Sequence, residues 1–210
     1  MYRTITSVVK TLSPILVFSL VFVSVLGAKA WSKITPLKQE AAAQDKVVEI
    51  DNFPNSPVEI VDLHVKDMNV KLGEKFKLDN DWLRTIRFKL KNISDKPITH
   101  ISLNLDFPET TSADPRMAYS LEFGQRPGAR QNKSGPIFLI KGDMASVALS
   151  EAQYADLKRF VETKRPLTTI NRVLLSIPLV FFADGTVWSG GTLYRPDPTA
   201  PNKMRAVDAQ

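Results

Sequence analysis

Apolar and polar positions alternate along most of the chain after residue 46. Val61, Leu63 and Val65 alternate with Asp62, His64 and Lys66. Ile86, Phe88 and Leu90 alternate with Arg87, Lys89 and Lys91, and Ile101, Leu103, Leu105 and Phe107 with Ser102, Asn104 and Asp106. A period of two sets one face of a strand on a core and the other in water. Strands of this half-buried kind belong to antiparallel sheets. Turn residues separate them. Gly73-Glu74 predicts a reversal between Val70–Leu72 and Phe76–Leu78, Asp79-Asn80-Asp81 predicts a second turn, and Asn92 to Pro97 a third. Asp184-Gly185, between Leu179–Phe182 and Thr186–Trp188, predicts a two-residue type I′ hairpin.

The run Val173 to Phe182 is apolar on both parities. Val173, Leu175, Ile177, Leu179 and Phe181 make one face, and Leu174, Val180 and Phe182 the other, so both faces are expected to be covered. Pro178 removes a ladder donor and predicts an edge position or a bulge. One amphipathic helix is predicted over about residues 151–164. Ser150 and Gln153 have the spacing of a capping box, and Tyr154, Leu157, Phe160 and Val161 form a stripe. That helix is the expected cover for the doubly apolar strand. Short strands, regular turns and one helix predict a mainly β fold, an antiparallel immunoglobulin-like β-sandwich. An eight-stranded barrel is the alternative.

The first thirty residues follow another pattern. Arg3 and Lys10 precede an apolar run from Ile15 to Leu26, and Ala28-Lys29-Ala30 has the small-x-small form of a cleavage site. This predicts an N-terminal signal peptide over residues 1–30 and an exported protein, periplasmic or extracellular. An uncleaved anchor is the alternative, and would be the chain's only membrane contact. Residues 31–45 read as a linker, 46–195 as one β-sandwich domain, and 196–210, with Pro196, Pro198 and Pro201, as a disordered tail. With no Cys, the chain offers no thiol for lipidation, and neither end is expected to carry a covalent tether. The fold must then rest on its apolar core without disulfides. Removing three basic leader residues lowers the formal charge from +6 to +3, too little to argue for a nucleic-acid partner.

Three segments carry a resemblance. Lys91-Asn92-Ile93-Ser94-Asp95-Lys96-Pro97-Ile98 leads into Ile101–Pro108. Ile140-Lys141-Gly142-Asp143 precedes Ala145–Leu149, and Phe182–Trp188 is followed by Gly190 and Pro196-Asp197-Pro198. In this order they resemble a group of exported bacterial proteins of unassigned function that carry an Ig-like domain. The resemblance implies the fold and the export, and brings no catalytic residue.

Two groups of residues are candidates for binding. Arg126, Arg130 and Lys133, with Arg116 and Tyr119 upstream, make the irregular stretch Pro108 to Pro136 basic. Arginine forks suit carboxylate and phosphate groups, so an anionic glycan or headgroup is the expected ligand class. Trp188 and Tyr194 flank Gly190-Gly191 and by simple alternation share a face, as an aromatic sugar platform would. The plainer readings are a solvated loop and a packed hairpin. Asp62, His64 and His100 would hold zinc only if their strands were neighbours, and Asp79-Asn80-Asp81 lacks the rest of a Ca²⁺ loop, so no metal is expected. Glu109 and Glu122 are a weak glycosidase pair, and Asn92-Ile93-Ser94 matches a glycosylation sequon. There is no nucleophile elbow, no catalytic Cys and no phosphate-binding glycine loop before a helix. The expectation is a non-enzymatic binding or structural module of the cell envelope, without cofactor. Its partner would be an envelope component or another exported protein. A carbohydrate-binding or glycan-active domain is the alternative.

Overall fold

The computed structural model describes residues 43–110, 117–126, 135–200 and 203–207. The expected signal segment and most of the linker lie outside them. Among the described residues, no helix is long and apolar enough to cross a membrane. The fold is mainly β, with two sheets and one helix.

The small sheet has the order β3 (Met68–Asn69), β2 (Val58–Val65), β5 (Ile86–Asn92), β8 (Met144–Ala148), all antiparallel. The large sheet runs β12 (Met204–Ala206), β11 (Thr192–Pro196), β10 (Val187–Ser189), β9 (Arg172–Phe182), β1 (Gln44–Ile50), β4 (Lys75–Leu78). β6 (Ile98–Phe107) pairs with β9, and β7 (Met117–Gly124) pairs with β6. Two pairings differ from expectation. β1 runs parallel to β9, which local alternation cannot forecast because the two segments are far apart in sequence. The Gly73-Glu74 reversal is no hairpin, since β4 pairs with β1 in the other sheet instead of folding back on Val70–Leu72. The proline-rich end, expected as a disordered tail, contributes β12.

The apolar faces of both sheets meet in one core. Val58, Ile60, Phe88 and Leu90 come from the small sheet, and Ile101, Leu103, Leu105, Val173 and Leu175 from the large one. Trp82, fully buried in the 3₁₀ turn Trp82–Thr85, donates its indole N–H to the Ile170 carbonyl at 3.1 Å and meets the Phe76 ring edge-on. Lys46 is also completely buried and donates to Asn171 Oδ1 at 2.8 Å. Burial pushes its amine below the ordinary value, against the pull of Glu109 and Asp79.

Bulges decide which residues reach this core. In β2 the register with β5 shifts between Val61 and His64, and Asp62 takes φ 52. The inward row is therefore Val58, Ile60, Leu63, Val65, and Val61 leaves it. In β9 the register with β6 shifts around Pro178. Val173, Leu175 and Ile177 are buried before the shift, Val180 and Phe182 after it, while Leu179 and Phe181 turn to the half-buried outer face. The doubly apolar run is thus two strand halves of opposite parity. Pro178 marks a bulge in a central strand, at the point where the neighbour changes from β1 to β10.

The helix α1 (Glu151–Glu162) has its expected capping box: Gln153 N–H donates to Ser150 Oγ, and Ser150 N–H to Gln153 Oε1. It packs on β7 and on the turns Trp82–Thr85 and Leu167–Thr169, and buries Tyr154, Leu157 and Val161. This corrects its assignment as a cover for β9. The Tyr154 hydroxyl donates to Asp81 Oδ1 at 2.6 Å, which fixes the helix to the turn before Trp82.

Two substitutions test this packing. Leu157→Asp places a charge at a fully buried site and is expected to lower the unfolding free energy by about 4 kcal/mol or more. An unchanged thermal midpoint would make the helix peripheral. Gly124 sits at φ 79, and an added Cβ would lie 2.2 Å from the Thr99 carbonyl oxygen and 2.4 Å from Ile137 Cγ1. Gly124→Ala is therefore expected to cost about 2–5 kcal/mol in chemical denaturation. A change under about 0.5 kcal/mol would contradict the crowding.

Candidate functional site

The sequence candidates separate in space. The Asp184-Gly185 hairpin is not type I′, because Asp184 lacks the positive φ that both central residues would need. Gly185 alone takes φ 81, and its N–H donates to the Phe182 carbonyl. The tight two-residue loop is instead Gly190-Gly191, at φ 54 and 98, closing the Ser189–Thr192 pair. This loop inverts the alternation. Trp188 lies opposite Leu193, whereas Tyr194 lies opposite Val187 and Thr192 opposite Ser189. Trp188 and Tyr194 therefore face opposite sides of the sheet. Trp188 is only 3% exposed, with its ring edge-on to Phe53 at 6.1 Å. The shared aromatic platform is corrected to a packed hairpin.

The basic stretch is seen in part. Arg116, Arg130 and Lys133 lie outside the described residues. Tyr119 is half-buried, donates its hydroxyl to the Gln153 carbonyl at 3.2 Å and meets the Phe160 ring, so it holds α1 against β7. Arg126 is exposed, with its guanidinium 5.7 Å from the centre of the Phe181 ring. Beneath it, on the outer face of β6 and β7, lies a polar row that sequence reasoning missed. His100 is 1% exposed. Its Nε2 is 2.8 Å from Glu122 Oε2, and its ring meets Phe181 edge-on. Ser102 donates to Glu122 Oε1, Ser120 to Asn104, and Ser176 to Asp106.

The metal and catalytic candidates dissolve in the same way. His64 is in the small sheet and His100 in the large one, so the proposed zinc set has no common face. Among the described residues no metal-competent group of His, Asp or Glu is found. Asp79 pairs with Lys66 and also accepts the Asp81 N–H, as a turn residue does. Glu109 accepts the N–H groups of Asn171 and Arg172 just past the end of β6, while Glu122 lies opposite Ser102, seven residues back along the chain. Two such carboxylates cannot flank one glycosidic bond. Asn92 is fully buried: its amide donates to the Lys96 and Leu139 carbonyls and accepts from Ser94. The sequon therefore has no accessible acceptor, and the side chain ties three segments together instead.

Concavity lies elsewhere. A groove of about 700 Å³ opens where the segment Asn55-Ser56-Pro57, the turn Ile93 to Lys96 and the β10–β11 hairpin come together. Phe182, Trp188, Leu193, Val207 and the exposed Ile93 supply apolar wall, and Asn55, Ser56, Ser94 and Thr192 supply polar atoms. The two charged residues among the described lining are both paired, Lys96 with Asp184 at 2.5 Å and Asp95 with Lys141 at 2.6 Å. Lys96 also lies 5.7 Å from the centre of the Phe182 ring. Burial raises the Asp184 carboxyl, but hydrogen bonds from Lys96 and Thr186 outweigh it and bring the pKa to about 2. The indole N–H of Trp188 finds no acceptor among the described residues. Only Trp188 among these was legible as a site residue. Its neighbours come from five separate stretches of chain, and no local motif joins them.

Nothing among known protein families, curated proteins or solved structures matches this chain.

The Asp184 interaction carries a pH signature. Its carboxyl is depressed below the usual value near 4, so the stabilisation is present above about pH 4 and is lost as pH falls toward 2. Lys96→Met is expected to lower the thermal midpoint at pH 6, with the gap from wild type narrowing by pH 2. A gap of equal size at both pH values would contradict the linkage.

Proposed function

We propose that this chain is an exported, non-enzymatic binding module of the bacterial cell envelope, built on an immunoglobulin-like β-sandwich and released from a signal peptide spanning residues 1–30. The observation that carries the reading is the groove at the meeting point of Asn55–Pro57, Ile93–Lys96 and the β10–β11 hairpin. Loops gathered on a rigid β scaffold are where such modules bind, and the groove has the size and the mostly apolar lining of a ligand site. The charged, apolar and cleavage-like regions of the first thirty residues support export. The resemblance of Lys91–Pro108, Ile140–Leu149 and Phe182–Pro198 to exported Ig-like proteins supports both parts. The glycan alternative is disfavoured because Trp188 and Tyr194 do not share a face. The basic stretch around Arg126 is a second contact surface for an anionic envelope component.

The test is made in living cells. The full chain is expressed with its leader and a photo-crosslinking residue at Ile93, at Arg126, or at Lys158 on the outer face of α1. The account expects a mature N-terminus at Trp31 and one discrete adduct from Ile93 that is absent from Lys158. Retention of the leader in the cytosol would overturn the export. An adduct from Arg126 alone would move the contact to the basic stretch, and glycan hydrolysis by the mature protein would overturn the non-enzymatic reading.

A further inference from the structure

A strand at the edge of a sheet presents unpaired N–H and C=O groups, and folds usually guard such edges. Among the described residues the two sheets end in β3, β8, β4, β12 and β7. β3 is only two residues long. β4 carries Lys75 and Lys77, and β12 is a three-residue strand with Arg205 at its centre. β7 carries Glu122 and has α1 packed on it. β8 has none of these guards. Its sequence Met-Ala-Ser-Val-Ala holds no charge, proline or glycine. Its register with β5 is unbroken and no residue in it takes a positive φ, so no bulge turns it away. The helix packs on β7 and two turns, not along β8.

The hydrogen-bond phase fixes which groups of β8 face outward. Asn92 N–H donates to the Asp143 carbonyl and Gly142 N–H to the Asn92 carbonyl, while Ile93 N–H donates to Pro57 on the other side. Alternation from there aims the backbone groups of Ala145 and Val147 at β5 and those of Met144, Ser146 and Ala148 outward. No backbone hydrogen bond from another described segment reaches these three. The turn that opens the strand exposes large apolar side chains, Ile140 at 53% and Met144 at 50%.

We propose that β8 is a self-pairing edge, at which two copies of this chain join antiparallel about a two-fold axis at Ser146 and merge their four-stranded sheets into one. The outward groups of Met144, Ser146 and Ala148 then meet those of Ala148, Ser146 and Met144 in the second copy, with about six hydrogen bonds. Charge favours a copy as the occupant. The strand has no charge to repel itself, and the two-fold axis brings the exposed Lys141 of each chain toward the exposed Glu151 of the other. Five-residue strands bury little area, so the dimer is a small and reversible one. None of the β8 residues lines the groove, so this surface is additional to the one proposed for binding.

The test uses the full chain, expressed with its leader and purified. Sedimentation equilibrium is expected to show a reversible monomer–dimer equilibrium. The chain has no cysteine, so Ser146→Cys adds a single thiol. Two Cα atoms at the axis lie about 5.5 Å apart, within disulfide reach. Mild oxidation should therefore give a covalent dimer at least tenfold faster than with Lys158→Cys on the outer face of α1. Ser146→Lys and Ser146→Glu should each remain folded by circular dichroism and weaken self-association at least tenfold. An equimolar mixture of the two should restore it, because opposite charges then meet at the axis. A wild-type protein that stays monomeric up to about 1 mM would overturn the proposal. So would cross-linking of Ser146→Cys no faster than Lys158→Cys, undiminished dimerisation of Ser146→Lys, or a mixture that associates no better than either variant alone. A strand of a different protein seated on β8 in place of a second copy would also overturn self-pairing.

Discussion

The structure depends on β9. It is paired along both edges, with β6 on one side and β1 followed by β10 on the other, so it joins three neighbours of the large sheet. A strand in that position must deliver apolar side chains to the core along its whole run. It does so by bulging at Pro178, which keeps Val173, Leu175 and Ile177 buried before the shift and Val180 and Phe182 after it. Proline is tolerated there because β1 hands over to β10 at that point, so no ladder donor is required of it. Without cysteine, the continuity of this apolar row is the main source of cohesion.

The polar devices arrange themselves around that row. Asn92 saturates its amide with Lys96, Leu139 and Ser94, and so joins β5 to the approach of β6 and to the segment that leads into β8. Trp82 and Lys46 converge on the Ile170–Asn171 segment just before β9 begins. Gly190-Gly191 turns β10 back into β11 and sets Trp188 against the core. Two of these devices, Asn92 and the Gly190-Gly191 turn, fix segments that also shape the groove. Fold and candidate site are therefore one construction: the groove is what remains between loops whose ends the core holds in place.

Much of the fold was legible in the sequence where alternation ran uninterrupted. Ile86, Phe88 and Leu90, and Ile101 to Phe107, face the core as their pattern requires, and Ser150 and Gln153 cap the helix as their spacing requires. What alternation cannot carry is parity across a break. One extra residue at Asp62 or at Pro178, or a two-glycine turn at 190–191, inverts every later side chain. That is why Val61 left the core and Trp188 parted from Tyr194. Partner choice was equally silent: nothing near Lys75–Leu78 says that β4 joins β1, and nothing near His100 says that Phe181 and Glu122 will cover its ring. The groove was illegible for the same reason, because its walls meet only after the distant pairings are made.

The central claim is that both sheets share one cohesive core with β9 at its centre. Native-state hydrogen exchange tests it most directly. The account predicts that the slowest amides of β5 in the small sheet and of β6 and β9 in the large sheet exchange at one common free energy, equal to that of global unfolding. Exchange of the β5 amides through a separate opening of clearly lower free energy, with β6 and β9 still protected, would contradict it.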